Sequence, residues 1–148
     1  MRSIDAIRRS GVGIGPESTI TDAAITMEQA GVGSLAVIDG GRLVGIVTDR
    51  DLVRRCMARR VPSDARIDSV MSTPVITVQA DADLHDAFQL FRTNAVRRLA
   101  VVRGEHFVGM ITVDDMLVNL VGDIDDLVRP VTAEILFAHH DAHVPATT

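Results

Sequence analysis

Short apolar runs and amphipathic stretches alternate along this chain, and the whole alternation occurs twice. In the first pass Val12–Ile14 is a brief apolar run closed by the turn signal Gly15-Pro16-Glu17. Ile20, Ala23, Ala24, Met27 and Ala30 then recur at helical spacing, which predicts a helix with one face in a core. Thr19 precedes it with Asp22 three residues on, the pattern of a capping pair, and Gly31 and Gly33 mark its end. Leu35–Ile38 and Leu43–Val47 are continuous apolar runs around Asp39-Gly40-Gly41-Arg42, the pattern of a β-hairpin with a short loop. A second helix is predicted after Thr48, reaching Arg60, with Leu52, Val53 and Met57 apolar.

The second pass keeps this order. Val75–Val78 predicts a short strand, and Asp83 caps a helix carrying Leu84, Ala87, Phe88 and Phe91 on one face. Leu99–Val102 and Phe107–Thr112 predict a hairpin around Arg103-Gly104-Glu105-His106. A last helix starts after Thr112 with Met116, Leu117, Leu120 and Val121. Helices are also predicted ahead of each first strand, from Ile4 to Arg9 and from Ile67 to Met71.

The two passes are one unit duplicated. Val12–Leu52 aligns without a gap on Ile76–Met116, 64 residues on, and 11 of the 41 pairs are identical. Asp22/Asp86, Leu35/Leu99, Gly45/Gly109, Thr48/Thr112 and Asp51/Asp115 are among them. Each unit reads β-α-β-β-α, too small a sheet to bury its apolar face alone. The expected architecture is a mixed α/β (α+β) fold of two such repeats packed sheet to sheet about a pseudo-twofold axis. The first repeat takes residues 1–62 and the second 63–122, leaving 123–148 as a C-terminal extension with a mobile last part.

Composition narrows the function classes. At 148 residues the chain can bury a proper core. Its net charge of −5 argues against general nucleic-acid binding. All 15 basic residues are Arg, planar forks suited to phosphate or carboxylate. No apolar run reaches the roughly 20 residues of a membrane span, and Met1–Gly15 lacks the apolar core of a secretory signal. The single Cys56 forms no internal disulfide, so a reducing compartment, the cytoplasm, is expected. No catalytic motif emerges, and the expectation is a protein that is not an enzyme.

Leu43-Val44-Gly45-Ile46-Val47-Thr48-Asp49-Arg50-Asp51-Leu52 and its partner Phe107-Val108-Gly109-Met110-Ile111-Thr112-Val113-Asp114-Asp115-Met116 resemble the end of a CBS domain. Arg97-Arg98-Leu99-Ala100-Val101-Val102 resembles the stretch entering that family's central strand, with Ala36 and Ala100 where the family usually has Pro. Two tandem copies resemble a Bateman module. The resemblance implies a regulatory sensor that binds AMP, ADP, ATP or S-adenosylmethionine between the repeats, possessing no required cofactor. It also implies a homodimer, to which exposed Val53, Met57, Leu117 and Leu120 would contribute, and an unknown protein partner.

The candidate ligand residues follow from the repeated Thr48-x-x-Asp51 and Thr112-x-x-Asp115. Each stands where a strand ends and a helix begins, a place that favours phosphate. The Thr hydroxyl can donate to a phosphate oxygen, and the Asp carboxylate can accept from a ribose diol; the resemblance implies the same roles. Arg50 can pair with phosphate, Arg97 and Arg98 can reach from the other repeat, and Thr77 can meet a base edge. Asp114 adds a negative charge at the second site, which disfavours polyphosphate there unless Arg or Mg²⁺ compensates. On its residues alone, Thr-x-x-Asp reads first as a capping box. The alternative function is therefore a ligand-free homodimeric scaffold in which these residues only cap helices. Arg54, Arg55, Arg59 and Arg60 read as a solvated face, with Asp123, Asp125 and Asp126 as possible counterparts in a dimer. His139, His140, Asp141 and His143 read as a mobile tail rather than a metal site, and Val131–Phe137 as a strand or helix that packs. Gly11-Val12-Gly13-Ile14-Gly15 lacks the spacing of a dinucleotide fingerprint and reads as loop and strand edge.

Overall fold

The computed structural model describes residues 3–143, with side chains described for residues 3–129. Both repeats fold as their patterns require. The first consists of β1 (Gly13–Ile14), α2 (Ile20–Ala30), β2 (Ser34–Asp39) and β3 (Arg42–Thr48), preceded by the short helix α1 (Ile4–Ile7). Helix α3 (Asp49–Asp51) follows and widens at once into a π-helical stretch, Leu52–Met57. The second repeat consists of β4 (Thr77–Gln79), α4 (Leu84–Asn94), β5 (Arg98–Arg103), β6 (His106–Thr112) and α5 (Val113–His143), with a 3-10 turn at Ile67–Ser69 ahead of it.

The strands form one sheet in the order β1-β2-β3-β6-β5-β4. In each half the first strand lies parallel to the second, and the hairpin pairs antiparallel. The same irregularity of register recurs at Val37/Ile38 and at Val101/Val102, again 64 residues apart. Among the described residues the two three-stranded halves pair, strand to strand, at Arg42↔His106.

Capping works as the sequence predicts. Thr19 and Asp22 close a full capping box on α2, and Asp83 and Asp86 close one on α4. One face of α2 supplies Ile20, Ala23 and Met27 to a core with Leu35, Val37, Val47, Leu52, Cys56 and Ile67.

The segments ahead of the repeats bind them together. Ile4 N donates to Ala82 O and Asp5 N to Ala80 O, so α1 docks on the second repeat. Ile67 N donates to Ser18 O and Asp68 N to Pro16 O, so the turn at 67–69 docks on the first. Further on, Arg9 pairs with Met110 and Ser72 with Ile46. These lead segments correspond at an offset of 63, not 64. Their passage explains the glycine kept at the centre of each β3/β6 strand. A Cβ on Gly45 would overlap Met71, and one on Gly109 would overlap the Arg9 carbonyl.

Three features depart from the sequence reading. The helix expected from Ile67 to Met71 is a three-residue 3-10 turn, Ile67–Ser69. The helix after Thr48 is π-helical rather than α-helical over most of its length, with Ala58 N bonded to Val53 O, and the turn ends at Arg60 with φ 56°. The last helix continues without a break through Gly122 and Pro130 to His143, so the backbone expected to be a tail at His139–His143 is helical, as is Val131–Phe137. The side chains of these residues, and Ala146 to Thr148, lie outside the described residues. Asp114 onward forms a compact unit of its own, in which Leu117, Leu120, Val121, Ile124 and Leu127 are exposed. Among the described residues no helix is long and apolar enough to cross a membrane.

Candidate functional site

Thr48 ends β3, and Asp51 sits one turn into the helix that follows. Thr48 Oγ1 accepts from Asp51 N at 3.1 Å, and Asp51 Oδ2 accepts from Thr48 N at 3.0 Å. The two residues thus form the complete capping box that their spacing allows. The cap leaves chemistry over. An ionised carboxylate has about four acceptor positions, and Thr48 N occupies one while Arg55 Nε approaches Oδ1 at 3.7 Å. The Thr48 hydroxyl accepts in the cap, so its own proton remains to donate.

Arg55 is held more firmly than a solvated face would hold it. Its Nη1 donates to Val70 O at 3.1 Å and to Ser72 Oγ at 2.9 Å, tying the helix to the segment between the repeats. Arg54, Arg59 and Arg60 are exposed as expected. On the buried side of the same helix is Cys56. Burial, reinforced by the nearby Asp51 carboxylate, pushes its thiol above the ordinary range. It is therefore a packed, protonated thiol at neutral pH.

Arg98 begins β5 of the second repeat, yet its guanidinium reaches the first. A Cβ built on Gly33 would lie 3.6 Å from Arg98 Nη2 and 3.1 Å from Asp49 Oδ2. Gly33 O also accepts from Asp49 N at 2.9 Å, and Arg97 O accepts from Val113 N at 3.0 Å at the equivalent place 64 residues on. Arg50 is exposed, with its backbone N–H donating to Asp49 Oδ1 at 2.8 Å. Thr112 lies opposite Arg98 in the β5–β6 ladder. Asp114 and Asp115 stand in the first turn of α5. The structure therefore gathers Thr48, Arg50, Asp51 and Arg98 about the end of β3. It adds Asp49, a second carboxylate there that the sequence reading left out of its charge balance.

Thr77 stands elsewhere. It lines a cavity of about 360 Å³ together with Arg42, Leu43, Val44, Pro74, Val75, Val102, Gly104 and Glu105. Arg42 and Glu105, one from each hairpin, form an ion pair at 3.0 Å. Leu43, Val44, Val75 and Val102 give the cavity an apolar side, and Arg42, Thr77 and Glu105 give it a polar one of similar extent. This cavity was not legible in the chain, because its walls come from β3, β5 and the segment between the repeats. The cavity and the Thr48–Arg98 corner lie towards opposite ends of the same strands. β3 runs from Arg42 to Thr48, and β5 from Arg98 to Arg103. Four residues of strand, Val44 to Thr48, span about 13 Å at the usual rise. Among the described residues no group of three or more His, Cys, Asp or Glu side chains is placed to hold a metal ion.

The duplication and the fold agree with known proteins. The CBS domain profile matches twice, at residues 4–58 and 67–122. The chain is 35% identical over 106 residues to the CBS domain-containing protein YhcV of Bacillus subtilis, covering 72% of this chain and 76% of that one. Its fold matches a CBS domain protein of Pyrobaculum aerophilum complexed with AMP, with a TM-score of 0.70 and 24% identity over 77% of this chain and 89% of that one. It also matches a CBS domain pair in complex with 5′-methylthioadenosine and S-adenosyl-L-methionine, with a TM-score of 0.74 and 21% identity over 83% of this chain and 98% of that one. With both repeats matched in order and along most of its length, the chain belongs to the CBS domain family.

Proposed function

We propose that this protein is a regulatory module that binds an adenosyl ligand between its two repeats and passes its state to a partner protein. The observation that carries this reading is Arg98 reaching across from the second repeat to Gly33 and Asp49, beside Thr48 and Asp51. A cation from one repeat and a hydroxyl–carboxylate pair from the other suit a phosphate and a ribose diol. The cavity at the other end of the same strands, part apolar and part polar, suits a base, with Thr77 available to its edge. Two of the fold's neighbours hold AMP or S-adenosyl-L-methionine, which supports the same ligand class. The sequence Thr112-x-x-Asp115 repeats the motif, and Asp114 within it adds a negative charge that the first copy lacks at that position.

Signalling is a population shift. A ligand held by both repeats favours the arrangement in which both sets of contacts are made, and only that differential affinity moves the equilibrium. The cytoplasm is the proposed compartment, since the one cysteine of the chain is a buried free thiol. A homodimer is proposed through the exposed apolar positions Val53, Met57, Leu117 and Leu120. Sedimentation velocity should then give twice the 15.9 kDa chain mass, and a monomer at micromolar concentration would remove this part of the reading.

The test of ligand binding is thermal unfolding with AMP, ADP, ATP and S-adenosylmethionine in parallel. A ligand at 100 times its dissociation constant should add about 2.7 kcal/mol of stability. Asp51→Ala should lower the ligand-free midpoint by loss of the cap and also abolish the ligand-dependent shift. Asp115→Ala serves as the comparison for the second copy. The formed capping box favours one other reading, a ligand-free scaffold. That reading predicts the same loss of midpoint and no shift with any of the four compounds.

A further inference from the structure

The two clefts related by the internal repeat are not alike. The cavity has Leu43 from β3 facing Val75 of the segment between the repeats. At an offset of 64 the corresponding residues are Phe107 and Gly11. There the Phe107 ring lies directly over the glycine, so close that a Cβ on Gly11 would overlap it. The next pair along repeats the substitution. Thr77 and Val102 line the cavity, whereas their counterparts are Gly13 and Ile38, and a Cβ on Gly13 would stand 2.6 Å from Ile38 Cδ1. At the rim the Arg42–Glu105 ion pair is matched by His106 against Gly41, its Nδ1 3.5 Å from where a Cβ would be. In two successive places, Phe107 for Leu43 and Ile38 for Val102, a larger side chain lies against a glycine, and at the rim the ion pair is replaced by a single histidine. The Gly11-Val12-Gly13 run thus has a physical reason: it makes room for Phe107 and Ile38.

We infer that Phe107 and Ile38 plug the second cleft, so that the chain accepts one adenosyl ligand, in the cleft of Leu43, Val75 and Thr77. The inference rests on the ligand reading above and sharpens it to a stoichiometry and a specificity-determining residue. On this inference the Phe107 ring, lying against Gly11, takes the place of the base in the second cleft. The open cleft, at about 360 Å³, falls within the roughly 300–1,000 Å³ of small-molecule sites.

Equilibrium dialysis of the full chain against AMP, and in parallel against S-adenosylmethionine, tests this. The wild type should saturate at one ligand per chain. Phe107→Leu, which copies the residue found at position 43, should expose a second site and saturate at two. Leu43→Phe, which copies the plug into the open cleft, should weaken binding at least tenfold while circular dichroism shows an intact fold. Wild-type saturation at two per chain overturns the inference and leaves the ligand reading standing. So does a Leu43→Phe variant that binds as tightly as wild type. Absence of binding by wild type and Phe107→Leu alike removes the ligand reading, and this inference with it.

Discussion

Gly31 and Ala95 occupy the same place in the two repeats, just past the ends of α2 and α4, and both are in the left-handed region. Gly31 has φ 65° and ψ 36°, and its N–H caps the helix at Glu28 O and Met27 O. Ala95 has φ 51° and ψ 40°. A residue with a Cβ costs about 1–2 kcal/mol in that conformation, whereas glycine adopts it freely. Glycine also gains entropy in the unfolded chain, which returns about 0.4–1 kcal/mol of the difference. Ala95→Gly should therefore stabilise the protein by about 0.5–1 kcal/mol, read as a higher denaturant midpoint at unchanged slope. Gly31→Ala should do the reverse by a similar amount, since nothing lies within 4 Å of its added Cβ and only the backbone is strained. A midpoint that falls in Ala95→Gly would mean that the alanine methyl contributes packing larger than its strain.

At the scale of elements, what the chain states locally was legible and what it states across distance was not. Both hairpins, the strand positions and the boxes at Thr19–Asp22, Asp83–Asp86 and Thr48–Asp51 depend on residues within four positions of one another. Periodicity and turn chemistry report such neighbours directly. A helix was legible in each lead segment, but its docking on the opposite repeat was not, because the partners of Ile4 and Ile67, Ala82 and Ser18, lie tens of residues away in the chain. The π-helical stretch has the composition of an ordinary amphipathic helix, with Leu52 and Cys56 still reaching the core. Arg55 looked like one of four solvated arginines because its partners, Val70 O and Ser72 Oγ, lie beyond the connector. The candidate site was half legible. Thr48, Arg50 and Asp51 announce themselves by their place between strand and helix, and Arg98 was a candidate whose reach to Gly33 only the fold could supply. Asp49 and the cavity walls at Leu43, Val75 and Val102 carry no motif, so only their assembly identifies them. The long α5 passes Gly122 and Pro130, residues that ordinarily stop a helix, and local propensity ended it too early.

For the molecule as a whole, the crossing of the lead segments decides how it unfolds. Ile4 precedes the first repeat but bonds through its N–H to Ala82 of the second, and its side chain is fully buried. Ile67 precedes the second repeat but joins the core of Ile20, Leu35 and Val47 in the first. Arg9 and Ser72 then hydrogen-bond to Met110 and Ile46 of the opposite β3/β6 strands. Neither repeat can be opened without withdrawing a segment from the other, so the two should unfold as one cooperative unit. Cutting a buried isoleucine to alanine costs about 2–5 kcal/mol through lost transfer energy and the cavity left behind. Ile4→Ala and Ile67→Ala should therefore each lower the same single transition by a similar amount, with the calorimetric and van't Hoff enthalpies remaining equal for the residues up to Val113. Repeats that were independent would respond differently: Ile4→Ala would split off an early transition from the second repeat and leave the first at its wild-type temperature. A scan with that split would show that the duplicated halves share a chain but not a core.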